Sequence, residues 1–169
     1  IVSFARRLKN KDGLMAGLKK IPLSFYGMNL AHLGIAIFIV GVTFTESMSL
    51  QKDLRMERGD TITLGGYSFT FEGAKSTEGP NYTAYEGAVS VMNPEGEAVA
   101  VLTPQKRIYH VRGMPMTEAG IDAGLFRDLF VALAEQLENG AWSLRVYYKP
   151  FIRWIWLGCI FMSLGGLVA

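Results

Sequence analysis

The sequence predicts a membrane protein of mixed α plus β class, with two transmembrane helices flanking a β-rich domain that closes as a small barrel or sandwich. Three observations carry this. Residues 25–45 form one apolar stretch, residues 151–169 form a second, and the segment between them alternates apolar and polar side chains between turn residues. A chain of 169 residues holds one domain or two small units. Its 50% hydrophobic and 19% charged content excludes a disordered chain and is high for an ordinary soluble domain. The single cysteine, Cys159, excludes a disulfide framework or a cysteine metal cage within the chain.

The first segment, residues 1–24, is basic. Arg6, Arg7, Lys9, Lys11, Lys19 and Lys20 stand just before the apolar stretch 25–45, whose clearly polar side chains are Tyr26, Asn29, His32 and two threonines. At 1.5 Å per residue such a stretch reaches roughly 31 Å, the thickness of a bilayer core. A signal peptide also has a basic start, but its apolar region is shorter, and no small-residue cleavage site follows at Thr45-Glu46-Ser47-Met48. The second stretch, taken as helix 149–169, has Arg153 near its start beside Trp154 and Trp156, with Tyr147, Tyr148 and Lys149 just before. Rings and long cations at one end of an apolar run make an interfacial belt. The chain starts Ile-Val-Ser and ends inside this run, which reads as an internal piece of a longer protein.

Orientation follows from charge. Residues 1–25 carry six Lys/Arg and one acidic residue, whereas residues 46–145 carry nine Lys/Arg and fourteen acidic residues. The positive-inside rule places the basic segment in the cytoplasm and the middle domain, 46–148, outside, which in a bacterium is the periplasm. The basic segment lacks interleaved aromatics, so anionic lipid and not nucleic acid is its expected partner.

Within the middle domain, Thr61–Phe71 alternates around Gly65-Gly66 as a hairpin. Residues 88–92 and 98–102 flank Asn93-Pro94-Glu95-Gly96 as a second. Lys106–Val111 gives another strand. Arg127–Ala134 has a helical composition, yet Asn139-Gly140 separates it from the alternating Trp142–Tyr148, which favours a final hairpin. Seven or eight short strands are expected, with Gly113–Asp122 as a structured loop.

The chemistry-bearing residues are few. There is no phosphate-cradling glycine motif, no Cys-x-x-Cys and no histidine pair at metal-ligand spacing. His110, in Gln105–Gly113, reads as a strand-end surface residue, Cys159 as packing, and Trp154 and Trp156 as interface anchors. Met114, Met116, Glu118 and Asp122 mix soft and hard donors in a segment better suited to a loop than to Cu(I). His32 stands apart, because an ionisable side chain within an apolar span is a functional candidate by default. On a helical wheel Phe25, Met28, Ala36, Ile39 and Thr43 share its face, while Gly27, Gly34 and Gly41 line the other and would admit a neighbouring helix closely. An apolar, aromatic histidine face suits a haem with an imidazole–iron bond. An interhelical hydrogen bond or an interfacial histidine accounts for the same residue, and the residues alone leave these open.

Met28-Asn-Leu-Ala-His-Leu-Gly34 resembles the histidine-bearing transmembrane helix of the CcmF-type (CcmF/NrfE) cytochrome c maturation haem lyases. Thr103–Tyr109, Gly124–Phe130 and Val146-Tyr-Tyr-Lys-Pro-Phe-Ile-Arg-Trp-Ile-Trp156 resemble the same family's later periplasmic region. The resemblance runs from about Ile21 onward, the last stretch being the most distinctive.

The resemblance implies a C-terminal portion of a multi-spanning inner-membrane protein. Members receive haem from a periplasmic haem chaperone and attach it to Cys-x-x-Cys-His sites of apocytochrome c, which thiol-reducing and delivery subunits present. They also hold a haem b within the membrane, and His32 matches one of its axial ligands to the haem iron. The partner histidine and the tryptophan-rich segment that holds substrate haem match nothing in this chain, so the resemblance implies no attachment activity for this stretch alone. It assigns no catalytic residue in the middle domain, and none to His110. Two other readings of the residues are a membrane-tethered docking module for assembly partners and a sensor domain between two helices.

Overall fold

Alternation in the middle of the chain has a direct structural consequence: every second side chain along a strand turns to the same face, and two such faces can close on each other. The computed structural model describes residues 22–111 and 113–169. It divides into two compact units, Thr43–Arg153 and the segments that end at Val42 and begin at Trp154. The basic residues Arg6 to Lys20 lie outside the described residues, as does Arg112.

Helix α1 runs Leu23–Met48 and helix α2 runs Ile152–Val168. Between them ten strands are described: β1 Leu50–Met56, β2 Thr61–Leu64, β3 Tyr67–Glu78, β4 Tyr82–Met92, β5 Ala98–Leu102, β6 Gln105–Tyr109, β7 Pro115–Glu118, β8 Gly120–Ala123, β9 Arg127–Gln136 and β10 Trp142–Pro150. They form two antiparallel sheets. One has the order β1-β10-β9-β8; the other has β2-β3-β4-β6-β7, with β5 pairing the far half of β4.

The two expected hairpins and the final one are present. Gly65 and Gly66 both take positive φ in the β2–β3 turn, a conformation closed to most side chains. At Gly65 a Cβ would also lie 2.5 Å from the Tyr148 ring, so the turn needs glycine twice over. Asn139, at φ 63, and Gly140, at φ 78, turn the chain from β9 to β10. Residues 127–134 are strand, not helix, because Leu129, Val131 and Leu133 alternate into the core with exposures of 0%. They face Phe69, Phe71, Val89 and Val91 of the other sheet, with Trp142, Leu144 and Val146 of β10 beside them.

Ten strands stand against the seven or eight expected, and three of them, β1, β7 and β8, fall outside the segments that the sequence marks as strands. In β1, Leu-Gln-Lys-Asp-Leu-Arg-Met shows little alternation because it is an edge strand, exposed over its first four residues, with only Leu54 half-buried and Met56 buried toward the core. Strands β7 and β8 replace the loop expected at 113–122. Pro115 and Gly120 read as breakers there, but Pro115 stands first in an edge strand, a place where its missing N–H is tolerated.

The domain runs further toward α2 than the composition suggests. Lys149 and Pro150, expected in a helix 149–169, pair with Asp128 and Arg127 at the end of β10. Phe151 then turns the corner at φ 55, a strained setting for a bulky residue. Its N–H donates to the Phe126 carbonyl at 2.9 Å, and its ring lies 5.0 Å from Phe44 and 5.8 Å from Phe126.

Because Leu133 is completely buried, Leu133→Ala is expected to destabilise the domain by about 2–5 kcal/mol. Denaturant unfolding followed by Trp142 fluorescence measures this; a loss below about 1 kcal/mol would contradict a close-packed core at that point.

Candidate functional site

Helix α1 has 26 residues, about 39 Å long at 1.5 Å per residue, and by length and composition is long and apolar enough to cross a membrane. Helix α2 is a shorter apolar helix of 17 residues. In an apolar medium each polar side chain needs a partner within the protein. The helices supply one by a repeated device. Asn29 Nδ2 donates to the Phe25 carbonyl at 2.6 Å, His32 Nδ1 lies 2.7 Å from the Met28 carbonyl, and Ser163 Oγ donates to the Cys159 carbonyl at 2.9 Å. All three partners lie one helical turn back.

At His32 this bond decides the tautomer. A carbonyl oxygen can only accept, so Nδ1 carries the proton and the neutral ring keeps its lone pair on Nε2. Metal-binding histidines are commonly set this way, one nitrogen donating to a carbonyl and the other left for the metal. His32 is exposed within the described residues, and Met28, Ala36, Ile39 and Thr43 on its face are exposed with it. That face is apolar around one nitrogen donor, so it fits one axial side of a haem.

The opposite face is closed. Gly27, Gly34 and Gly41 are the buried residues of α1, and Gly158 and Gly165 are those of α2. A Cβ on Gly34 would stand 2.6 Å from the Met162 nitrogen and 2.7 Å from the Gly158 carbonyl oxygen. One on Gly27 would stand 2.4 Å from the Ala169 nitrogen, and one on Gly41 2.7 Å from the Ile155 nitrogen. The two helices therefore touch backbone to backbone and antiparallel, and this contact fixes the rotation of α1 that turns His32 outward.

The remaining candidates do not gather into a site. Among the described residues no group of three or more His, Cys, Asp or Glu could hold a metal ion. His110 belongs to the unit 43–153, exposed just past β6, with Nε2 3.3 Å from Thr83 Oγ1. Cys159 is half-buried in α2. Trp156 is 70% exposed, as an interface ring would be. Met114 and Met116 are exposed, while the acids near them are committed elsewhere, Glu118 to Arg107 at 3.6 Å and Asp122 to Arg127.

Arg127 is the residue that sequence reasoning missed. It opens β9, yet its Nε donates to the Tyr67 hydroxyl of the facing sheet at 3.2 Å, its guanidinium lies 4.9 Å from the Tyr67 ring centroid, and it pairs with Asp122 of β8. Tyr67 in turn stacks on Tyr148 of β10 at 6.1 Å. Burial works against the charge of Arg127, but the bonds to Tyr67 and Asp122 outweigh it and raise its pKa above the ordinary arginine value. On the edge strand, Asp53 accepts from Arg145 at 2.6 and 2.9 Å, and this bidentate pair holds its carboxyl below the ordinary value. Glu86 is lowered likewise, first by the hydrogen bond from Gln105 and then by Lys75.

With this geometry in hand, the comparisons with known proteins are specific. Residues 47–150 match the profile of the family described as CcmF C-terminal beta-sandwich. The chain belongs to the CcmF family. Relatives include the cytochrome c-type biogenesis protein CcmF of Pseudomonas aeruginosa, 54% identical over 93% of this chain and 24% of its own length. That of Escherichia coli is 47% identical over 88% of this chain and 23% of its own. The cytochrome c-type biogenesis protein NrfE of Haemophilus influenzae is 37% identical over 88% of this chain and 23% of its own. The chain thus spans less than a third of the length of these CcmF-family relatives. A solved structure titled cytochrome c heme lyase CcmF superposes with a TM-score of 0.76 at 17% identity, over 99% of this chain and 27% of that one. The sandwich, one of the two closures expected, is the family's fold.

Two outcomes follow. Gly34→Leu places side-chain atoms where the α2 backbone lies, and overpacking of this kind costs about 1–3 kcal/mol; SDS titration of the purified protein should show the helix pair separating at lower detergent fraction than wild type. For the carboxylates the sign is set by their lowered pKa values. Their contribution is complete above the ordinary values of 3.8 for Asp53 and 4.5 for Glu86 and is lost as pH falls through the lower folded values. Thermal midpoints measured from about pH 5 to about pH 3 should fall less steeply for Arg145→Gln than for wild type.

Proposed function

We propose that this chain is the C-terminal portion of a haem lyase of cytochrome c biogenesis, and that His32 is one axial ligand to the iron of an internal haem b. The observation that carries the reading is the Nδ1–H bond to the Met28 carbonyl at 2.7 Å, which leaves Nε2 as the donor on an apolar helix face. The relatives' names supply the process, since CcmF and NrfE are both titled cytochrome c-type biogenesis proteins. The neighbouring structure is titled cytochrome c heme lyase, which supports the lyase reading of that process.

In this reading α1 and α2 cross the bacterial inner membrane, residues 1–24 stay cytoplasmic, and the β domain faces the periplasm. When bound, the haem would supply one-electron exchange, keeping the iron of incoming haem reduced while thiols of a Cys-x-x-Cys-His site add across its vinyl groups. The chain's own part is positional. The Met28 carbonyl holds the imidazole proton on Nδ1 and fixes the ring. The glycine contact with α2 holds the rotation of α1. The apolar side chains around His32 keep water from the nitrogen donor. The second axial histidine, the substrate-haem ligands and the catalytic groups belong to other parts of the protein. The β domain is the surface that a periplasmic haem chaperone, apocytochrome c or its thiol-reducing and delivery subunits would meet.

The test uses the full-length protein with His32→Ala and His32→Gly, purified in detergent. The reduced-minus-oxidised spectrum should lose its b-type bands, and added imidazole should restore them, more fully in His32→Gly, where the vacated space is larger. An unchanged spectrum at normal protein yield would remove His32 as a ligand and leave the chain as a membrane-tethered docking domain.

A further inference from the structure

The β8–β9 turn leaves two large apolar side chains largely exposed, one of which, Phe126, also sets its ring edge-on against Phe151. Leu125 and Phe126 are each 58% exposed. Their exposure is built in, because the turn is held at both ends. Gly124 N–H donates to the Arg127 carbonyl and to Asp128 Oδ1, both at 3.0 Å, and Arg127 Nη1 donates to the Asp122 carbonyl at 3.3 Å.

The location of the turn is equally fixed. The Phe126 carbonyl accepts the N–H of Phe151, the residue directly before α2, and the Phe151 ring packs at a tilt against Phe44 near the end of α1. Thr45 Oγ1 donates to the Pro150 carbonyl at 2.8 Å, so the chain enters and leaves the domain at this same corner. Arg153, half-exposed and only 3.5 Å from Asp128, stands beside it. The turn is thus tied to residues 151–153, where the chain leaves the domain for α2. Apolar tips next to a long cation at such a point have the composition of a headgroup–acyl boundary.

We propose that Leu125 and Phe126 insert into the outer boundary of the lipid bilayer and make the β8–β9 turn a third membrane attachment of the domain beside α1 and α2. The proposal rests on the reading that α2 crosses the membrane. Leucine and phenylalanine favour this boundary over water through burial of apolar surface, and Arg153 is placed to meet lipid phosphate.

The experiment uses the full-length protein in nanodiscs of phosphatidylethanolamine and phosphatidylglycerol, in a background with Cys159→Ser and any other cysteines removed. A nitroxide is attached at Leu125→Cys, at Glu95→Cys on the β4–β5 turn, or at Ile160→Cys in α2. Power saturation compares collision with oxygen, which concentrates in lipid, and with nickel-EDDA, which stays in water. The expected result is oxygen-dominated relaxation at position 125 and nickel-dominated relaxation at position 95. Nickel-dominated relaxation at position 125 with none at 160 would overturn the insertion while leaving α2 in the membrane. A label at 125 shielded from both reagents would also overturn it, since another part of the protein would then cover the turn. Nickel access at 160 would remove the membrane-crossing reading itself and the proposal with it. Protease resistance of Leu125→Cys equal to that of Glu95→Cys confirms that the labelled domain is folded.

Discussion

The pairing of β1 with β10 is the constraint on which the rest of the domain depends. It joins the first strand to the last, from Leu50 against Tyr148 to Met56 against Trp142. Backbone hydrogen bonds supply most of this join, and the Asp53–Arg145 pair, 92 residues apart in sequence, clasps it on the outer side. Because β1 follows α1 directly and β10 precedes α2 directly, the join returns the chain to its point of entry. A domain inserted between two apolar helices has to close in this way. The Thr45–Pro150 bond and the tilted Phe44–Phe151 ring contact lie at the same closure.

The second dependence runs through side chains that are missing. Glycine at positions 27, 34 and 41 removes every Cβ on one line of α1, and Gly158 and Gly165 do the same on α2, so dispersion between backbones replaces interdigitated side chains. Such a contact tolerates little rotation, because turning either helix brings a larger residue into the seam. The outward direction of His32 is thus fixed by atoms on the far side of its helix, and its tautomer by a carbonyl on its own side. On the proposed reading, geometry of this kind would pre-position the imidazole as a donor.

Much of this was legible in the chain. The β2–β3 and β9–β10 turns declared themselves through Gly65-Gly66 and Asn139-Gly140, whose positive φ values are what those residues permit. The glycine line on α1 was visible because a helix repeats its faces at a fixed angle. What stayed hidden has physical reasons. An edge strand such as β1 needs no alternation, since much of it faces solvent on both sides. The short β7 and β8 are held by neighbours, not by their own residues, so Pro115 and Gly120 read as breakers. Arg127 gave no signal of its own because its partner Tyr67 lies on a strand 60 residues away. Phe151 bends into a glycine-like conformation only because Phe44 and Phe126 receive its ring. The His32–Met28 bond is invisible for the opposite reason: any helical histidine has a carbonyl four residues back, and only the rotamer shows that it is used.

The β1–β10 join also has a consequence in time. A ladder between sequence-remote strands raises the contact order of the domain and slows its folding, since a long loop must close before the contacts reward it. During synthesis β1 emerges early and stays an open edge until β10 has left the ribosome. In the interval its exposed edge is a template for wrong pairing. The charged Lys52, Asp53 and Arg55 along that edge act as gatekeepers against such pairing, and the same Asp53 later finds Arg145. The clasp of the finished domain is therefore also the guard of the unfinished one.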